Sequence, residues 1–194
     1  SVNYDPSMKK ALDMIDYETF VKEAQPALQS EGRYVGLGIV AYVEGTGIGP
    51  YEGSRVQVQA SGIVTAVTGV GTQGQGHLTS FAQIVADQLG VDVSDVDIVT
   101  GDTDQFYWGA GTFASRGAVV AGNAFNEAAR DVRAKALKMA VDALEAEEEV
   151  VELVGGVARV QSDHERSIGL GELARRANPM RGAVKPVSYT HLTL

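Results

Sequence analysis

Residues suited to ligand binding are concentrated in one short segment of the chain, residues 69–77, which we call the first glycine loop. Its sequence is GVGTQGQGH, and glycines at this density let a backbone approach a ligand closely. The side-chain amides of Gln73 and Gln75 each offer a hydrogen-bond donor and an acceptor to the edge of a heteroaromatic ring. The segment favours a site for a polar cofactor with rings, and a tight turn with solvent-facing glutamines is equally compatible with these residues.

A second glycine loop, residues 109–117 with the sequence GAGTFASRG, lies ahead of a second long predicted helix. The first turn of a helix has free backbone N–H groups and a partial positive charge, so both loops are suited to anions. Arg116 could bind a phosphate through two parallel hydrogen bonds, or could instead form an ion pair with a nearby carboxylate. Two anion sites in one small fold favour a ligand with a diphosphate.

Other catalytic motifs fit the chain less well. Residues 69–74 formally match the glycine fingerprint of dinucleotide-binding folds, but the preceding strand is assigned to a hairpin, whereas the Rossmann unit needs a parallel crossover. Ser115 is not in a nucleophile elbow, because Phe113 occupies the position of the first glycine. His77 and His164 do not form a zinc-binding HExxH motif, and a structural or surface role is more typical of such single histidines.

The composition of the 194 residues is that of an ordinary globular protein, with 44% hydrophobic and 21% charged residues. A net charge of -9 argues against nucleic-acid binding, because no basic stripe is present. The absence of cysteine excludes disulfides, thiolate zinc sites and iron–sulfur ligation within this sequence, and is consistent with a cytoplasmic protein. No apolar run approaches the roughly 18 residues of a membrane span, and we expect no signal peptide.

Hydrophobic periodicity predicts the elements that position the loops. Residues 7–28 are predicted to be helical and interrupted at Pro26, with four candidate core contacts: Leu12, Ile15, Phe20 and Val21. Residues 33–44 are predicted to form a strand. Residues 55–60 and 63–67 flank Ser61-Gly62, which indicates a hairpin with a two-residue turn.

The first glycine loop leads into a predicted helix with a single apolar face: Leu78, Phe81, Ala82, Val85, Ala86 and Leu89. Residues 96–100 are predicted to form a strand. The helix after the second loop has a longer predicted buried stripe: Ala118, Ala121, Phe125, Ala128, Val132, Ala136, Met139 and Leu144. A hairpin at residues 150–153 and 157–160 and a short helix at 172–177 complete an α+β fold with a mixed sheet, antiparallel hairpins and two long helices, each preceded by a glycine loop.

The motifs follow one another in the order and spacing of one known family, at residues 71–77, 82–86, 89–91, 101–104 and 111–116. Tyr4-Asp5 before a helix, and residues 36–39 leading into residues 42–44, also agree with it. On these motifs, residues 1–187 resemble part of the large, molybdopterin-binding subunit of the xanthine dehydrogenase, aldehyde oxidase and carbon monoxide dehydrogenase group. The bacterial carbon monoxide dehydrogenase branch is the most similar in these motifs.

The resemblance implies a binding site for molybdopterin with molybdenum, in the cytosine dinucleotide form. The cofactor-binding residues it implies are Gln73, Gly74, Gln75, Gly76, His77, Thr112, Phe113, Ala114, Ser115 and Arg116. Gln75 would lie beside the oxo and pterin groups near molybdenum, and no residue would bind the metal directly. Many relatives have serine after the arginine, where this chain has Gly117, so one hydroxyl contact is expected to be missing.

The implied activity is oxidation or hydroxylation of a small substrate, which would be carbon monoxide, an aldehyde or an N-heterocycle. Electrons would pass to 2Fe-2S clusters and FAD on an iron–sulfur small subunit and an FAD medium subunit. The catalytic glutamate is expected downstream of this chain, and residues 188–194 are interpreted as a sequencing-adapter artefact. A Rossmann-type dinucleotide-binding oxidoreductase and a non-enzymatic, partner-binding α+β module remain as alternatives.

Overall fold

The computed structural model describes residues 3–178, and the expected adapter artefact at 188–194 lies outside that range. The chain forms two compact units that divide between Glu44 and Gly45. Within the described part, no helix is long and apolar enough to cross a membrane.

The first unit is helical, as predicted, and its helix bounds differ from the prediction. Helix α1 spans Asp5–Met14, α2 spans Tyr17–Thr19, a π-helical turn spans Phe20–Ala24, and α3 spans Gln25–Ser30. The break lies at Asp16, whose left-handed φ of 47° interrupts the helix, and not at Pro26. Pro26 lies in the first turn of α3, directly after the π-helical turn, and the backbone remains helical across it.

The predicted strand at residues 33–44 is wrong, because the structure places no strand there. Apolar side chains in this segment that we expected to lie in a strand are exposed, including Tyr34, Val40 and Tyr42. A strand needs a neighbouring strand to satisfy its N–H and C=O groups, and none of the described residues supplies one here. Four predicted core positions in this unit are half-buried or exposed: Leu12, Ile15, Phe20 and Val21.

A mixed three-stranded sheet forms one part of the second unit. Its strands are β1 (Ser54–Val58), β2 (Val64–Thr68) and β3 (Val96–Thr100), in the order β1-β2-β3. β1 pairs antiparallel with β2, and β2 pairs parallel with β3 through the crossover helix α4 (His77–Leu89). The sequence argument against a Rossmann unit assumed that a hairpin strand does not take part in a parallel crossover. This assumption was wrong, because β2 belongs to the hairpin and also pairs parallel with β3.

The β1–β2 hairpin is confirmed, with a turn one residue longer than predicted. Gly62 N donates to Gln59 O at 3.0 Å, and Gln59 N donates to Ile63 O at 2.8 Å. The loop therefore has three residues, and Gly62 occupies its left-handed position with φ of 97°. This geometry is the common turn-plus-bulge hairpin, whose last loop position favours glycine.

A second, antiparallel sheet contains β4 (Val151–Val154), β5 (Val157–Val160) and β6 (Asp163–Gly169), in the order β4-β5-β6. The predicted hairpin is confirmed, and Gly155 and Gly156 both have positive φ in its two-residue turn. Strand β6 was not predicted. Two helices complete the unit: α5 (Asn123–Leu144), which follows a π-helical turn at Gly117–Gly122, and α6 (Leu170–Arg176).

The core lies where α4 and α5 pack on the two sheets. The predicted face of α4 is buried except for Leu78, which is 53% exposed, and His77 is buried in its place. The buried stripe of α5 includes Ala129 and Ala140 rather than Ala128, and Ala118 is exposed. The α+β class, the mixed sheet and the two long helices after glycine loops are confirmed.

Candidate functional site

Both glycine loops start from the same edge of the mixed sheet. The first loop follows Thr68 at the end of β2, and the chain that leads to the second loop follows Thr100 at the end of β3. These ends are adjacent, because β2 and β3 are parallel and Gly101 N donates to Thr68 O at 3.0 Å. Ligands of α/β sheets bind at the carboxyl ends of parallel strands, so the topology brings the two loops together at such a position.

The two loops pack backbone against backbone. A Cβ atom on Gly69 would lie 1.8 Å from Trp108 O, and one on Gly109 would lie 2.2 Å from Gly69 O. Thr112 Oγ1 also donates to Gly71 O at 2.5 Å. Glycine at 69 and 109 is therefore a steric requirement for joining the loops.

The side chain of Gln75 has a defined orientation at the centre of the first loop. Its Oε1 accepts hydrogen bonds from Gln73 N at 2.6 Å and from Thr72 Oγ1 at 3.3 Å. Since a backbone N–H can only donate, the amide oxygen must face the loop. The Nε2 group donates to none of residues 3–178, so it offers two N–H donors to a ligand acceptor.

Three glycines leave open space at the loop surface. Gly74, Gly76 and Gly111 have φ of 94°, 78° and 105°, and a Cβ atom on any of them would meet no heavy atom within 4 Å. Backbone at these positions is therefore accessible to a ligand. Among residues 3–178, no group of three or more His, Cys, Asp or Glu side chains could hold a metal ion.

His77 lies in the core rather than at the loop surface. Its ring stacks on Phe81 with centroids 4.5 Å apart, and its Nδ1 is buried without a hydrogen-bond partner among the described residues. Burial lowers the pKa of His77 from its ordinary value of 6.5, because the charged imidazolium would lose its hydration. His77 therefore packs as a neutral ring in the first turn of α4.

The second loop has an unusual backbone. Ala114 and Ser115 have φ of 46° and 49°, in the left-handed region that non-glycine residues rarely adopt. Ala114 O accepts a hydrogen bond from Gly47 N at 3.0 Å. Phe113 is 46% exposed, and Ser115 is exposed, so both side chains are available to a ligand.

Arg116 is buried and forms an ion pair with Glu52, and neither side chain has any exposed surface. Its Nη1 donates to Glu52 Oε1 and, at 2.7 Å, to Gly111 O, while Nη2 donates to Pro50 O. Of the two roles that the sequence leaves open for Arg116, the structure shows the ion pair. A contact between its guanidinium and a phosphate remains a prediction.

Sequence reasoning missed the segment that leads into β1 (residues 47–53), which supports the second loop. Glu52 Oε1 accepts from Ala110 N at 3.1 Å as well as from Arg116, and Trp108 Nε1 donates to Tyr51 O at 3.2 Å. The rings of Tyr51 and Trp108 also stack, with centroids 5.4 Å apart. No local pattern indicates these contacts, because each joins residues more than fifty positions apart.

Residues 10–192 match the family described as the molybdopterin cofactor-binding domain. The chain belongs to this family. The resemblance expected from the motifs at 71–77 and 111–116 is thereby confirmed, and the match does not support the Rossmann-type and non-enzymatic alternatives.

Named relatives of this molybdopterin-binding domain agree with the assignment. The nicotine 6-hydroxylase large subunit of Paenarthrobacter nicotinovorans is 33% identical over 174 residues, which are 84% of this chain and 21% of that protein. The carbon monoxide dehydrogenase large chain of Hydrogenophaga pseudoflava is 32% identical over 190 residues, covering 91% of this chain and 24% of that protein.

A solved structure of carbon monoxide dehydrogenase from Oligotropha carboxidovorans matches 96% of this chain and 25% of its own chain, with 32% identity and a TM-score of 0.65. This molybdopterin-binding chain therefore spans between a fifth and a quarter of the length of these relatives.

Proposed function

We propose that the protein carrying this chain is the large subunit of a molybdenum hydroxylase, which oxidises or hydroxylates a small substrate. The observation that carries the proposal is the Gln75 amide, held by its oxygen so that its N–H donors face outward in a molybdopterin-binding domain. The bound cofactor would supply the redox centre. The chain would supply donors and an open backbone surface around it.

The two glycine loops fit such a cofactor. Pterins and oxo groups are rich in acceptors, and the Gln75 Nε2 offers donors to them. Gly74 and Gly76 leave the space that close approach of a flat ring requires. The residues proposed to form the binding site, by contact with the cofactor or by holding the loops, are those predicted from the sequence: Gln73, Gly74, Gln75, Gly76, His77, Thr112, Phe113, Ala114, Ser115 and Arg116.

Within this set, the structure suggests different contributions. Exposed side chains such as Ser115 would touch the cofactor, whereas the buried ring of His77 would fix the start of α4 beside it. The cytosine dinucleotide form of the cofactor is part of the proposal, since a diphosphate suits the N–H groups near the helix starts.

Electron transfer would need partner subunits. The sequence contains no cysteine, which is the usual ligand of iron–sulfur clusters, so the clusters would lie outside this segment. One relative is named as a large subunit and another as subunit gamma of a dehydrogenase complex. We therefore propose an iron–sulfur small subunit and an FAD medium subunit as partners, in the cytoplasm.

Two of the proposed substrate classes are supported by the names of relatives, which refer to nicotine, carbon monoxide and quinoline. Carbon monoxide and an N-heterocycle are proposed on these names, and an aldehyde is proposed on the resemblance of the sequence motifs. The catalytic glutamate is proposed to lie outside this segment of the large subunit.

The test is to purify the intact protein with its partners from a host that makes molybdenum cofactor. Molybdenum and released nucleotide are measured per protein, and dye reduction is followed with carbon monoxide, an aldehyde and an N-heterocycle. Protein from a host unable to make molybdopterin is the control. Cofactor-loaded protein that reduces the dye with one of these classes supports the proposal, and folded protein without molybdenum or pterin contradicts it.

A further inference from the structure

The Glu52–Arg116 ion pair lies at the base of the second glycine loop. Both side chains are fully buried, although one carries a negative and the other a positive charge. Burial of two charges is costly, and Glu52 Oε2 and Arg116 Nε have no hydrogen-bond partner among the described residues, so the pair is a poor source of stability. Such a pair at the base of a proposed cofactor loop is a candidate for a positioning role.

The guanidinium joins two separate segments of the chain. On the loop side it is bonded to Gly111 O, and on the side of residues 47–53 it is bonded to Pro50 O and Glu52. Glu52 Oε1 is bonded in turn to Ala110 N. Loop and segment are thus joined by one side chain with planar, fixed donors, which a flexible lysine could not reproduce.

The loop that these contacts hold would not adopt its shape without support. Ala114 and Ser115 are consecutive left-handed residues, a conformation that persists only where the surroundings fix it. Arg116 follows them directly, and its Cζ lies 4.8 Å from the centroid of the Phe113 ring. Fixing Arg116 therefore fixes the direction in which Phe113 and Ser115 point.

We propose that Glu52 and Arg116 are positioning residues that hold the second glycine loop in its cofactor-binding shape, with Arg116 acting through the loop rather than by touching the cofactor. The proposal rests on the proposed function, in that the loop is taken to bind molybdopterin. It adds Glu52 to the residues on which cofactor binding depends.

The experiment compares Glu52→Gln, Arg116→Met and the double variant in the intact enzyme with its partners. Glu127→Gln is the matched control, because Glu127 pairs with Arg130 at the surface. Molybdenum and nucleotide are measured per protein, and hydrogen–deuterium exchange is measured on peptides that cover residues 109–117. The double variant removes both charges together, so it is expected to fold even where a single variant leaves an unpaired buried charge.

We expect all three variants to contain roughly 10-fold less molybdenum than the control, the typical cost of losing a supporting contact, with faster exchange at 109–117. The proposal would be overturned if Arg116→Met lost the cofactor while Glu52→Gln retained it with normal exchange. That result would make the guanidinium a direct cofactor ligand. Full occupancy in the double variant would also overturn it. If the unchanged enzyme contains no molybdenum, the proposed function fails, and the exchange measurement still tests the loop contact.

Discussion

The imidazole of His77 occupies the space into which a side chain at Gly117 would project. A Cβ atom on Gly117 would lie 2.5 Å from His77 Nε2 and 3.2 Å from its Cε1. The imidazole has little freedom to move away, because it is buried and stacks on Phe81. Where the resemblance leads one to expect serine, this chain therefore requires glycine.

The first prediction concerns this contact. Gly117→Ser should destabilise the protein by about 1–3 kcal/mol, the usual cost of overpacking a core. Gly169→Ser is the matched control, since a Cβ there would meet no heavy atom within 4 Å. Thermal unfolding midpoints of the two variants provide the comparison, and His77→Ala should partly restore the Gly117→Ser variant. Equal midpoints for the two serine variants would contradict the steric account.

A second prediction follows from the lowered pKa of His77. The folded protein resists protonation of this ring, whereas the unfolded chain takes up the proton near the ordinary pKa of 6.5. Stability should therefore fall as the pH decreases below about 6.5, until the lower pKa of the folded state is passed. His77→Asn should show a shallower loss between pH 6.5 and more acidic values. His164→Asn, which removes an exposed ring, should behave like the unchanged protein, and identical profiles for both variants would refute the prediction.

The third prediction tests the open backbone of the first loop. Gly74 and Gly62 have nearly the same φ, 94° and 97°, and neither would place a Cβ within 4 Å of a heavy atom. Alanine at either position should therefore cost a similar amount of backbone strain, about 1–3 kcal/mol. Only Gly74→Ala should also lower molybdenum and nucleotide content in the intact enzyme. An equal cofactor content in the two variants would place the cofactor away from Gly74.

The fourth prediction concerns the donors of Gln75. Gln75→Glu keeps an oxygen for Gln73 N and Thr72 Oγ1 but replaces the outward N–H groups by an acceptor. Gln75→Ala removes both. Each variant should reduce turnover per bound molybdenum by about 10²–10³, the cost of losing one preorganised donor. Gln161→Ala, at an exposed site, serves as the control, and turnover close to that of the control would remove Gln75 from the proposed site.

Local sequence patterns predicted much of the fold. The 3.6-residue repeat located α4, and residues 96–100 coincide with β3, because apolar periodicity directly reflects burial in those elements. The same reasoning failed at residues 33–44, where alternation was present but no described strand pairs with them. It also missed β6, whose sequence DHERSIG is largely polar and exposed.

The candidate site was predicted only in part. The glycine loops can be recognised in the sequence from their high glycine content. The Glu52–Arg116 pair cannot, because it joins residues 64 positions apart and leaves no local pattern. The place of His77 was likewise missed, because periodicity favours an apolar residue such as Leu78 for burial. The positions of His77, Glu52 and Arg116 are determined by contacts between loops that are distant in sequence. Those contacts depend on how all the strands and helices are connected, which local patterns do not reveal.

The backbone contact between Gly69 and Gly109 has a consequence for the order in which the molecule forms. The hydrogen bond from Thr112 to Gly71 beside it joins residues 41 positions apart, and the segment between them contains α4 and β3. Closing such a loop costs chain entropy, so long-range contacts of this kind form after the local ones. The first glycine loop therefore has its packing partner only once residues 108–112 have been synthesised, because its backbone contacts are with those residues.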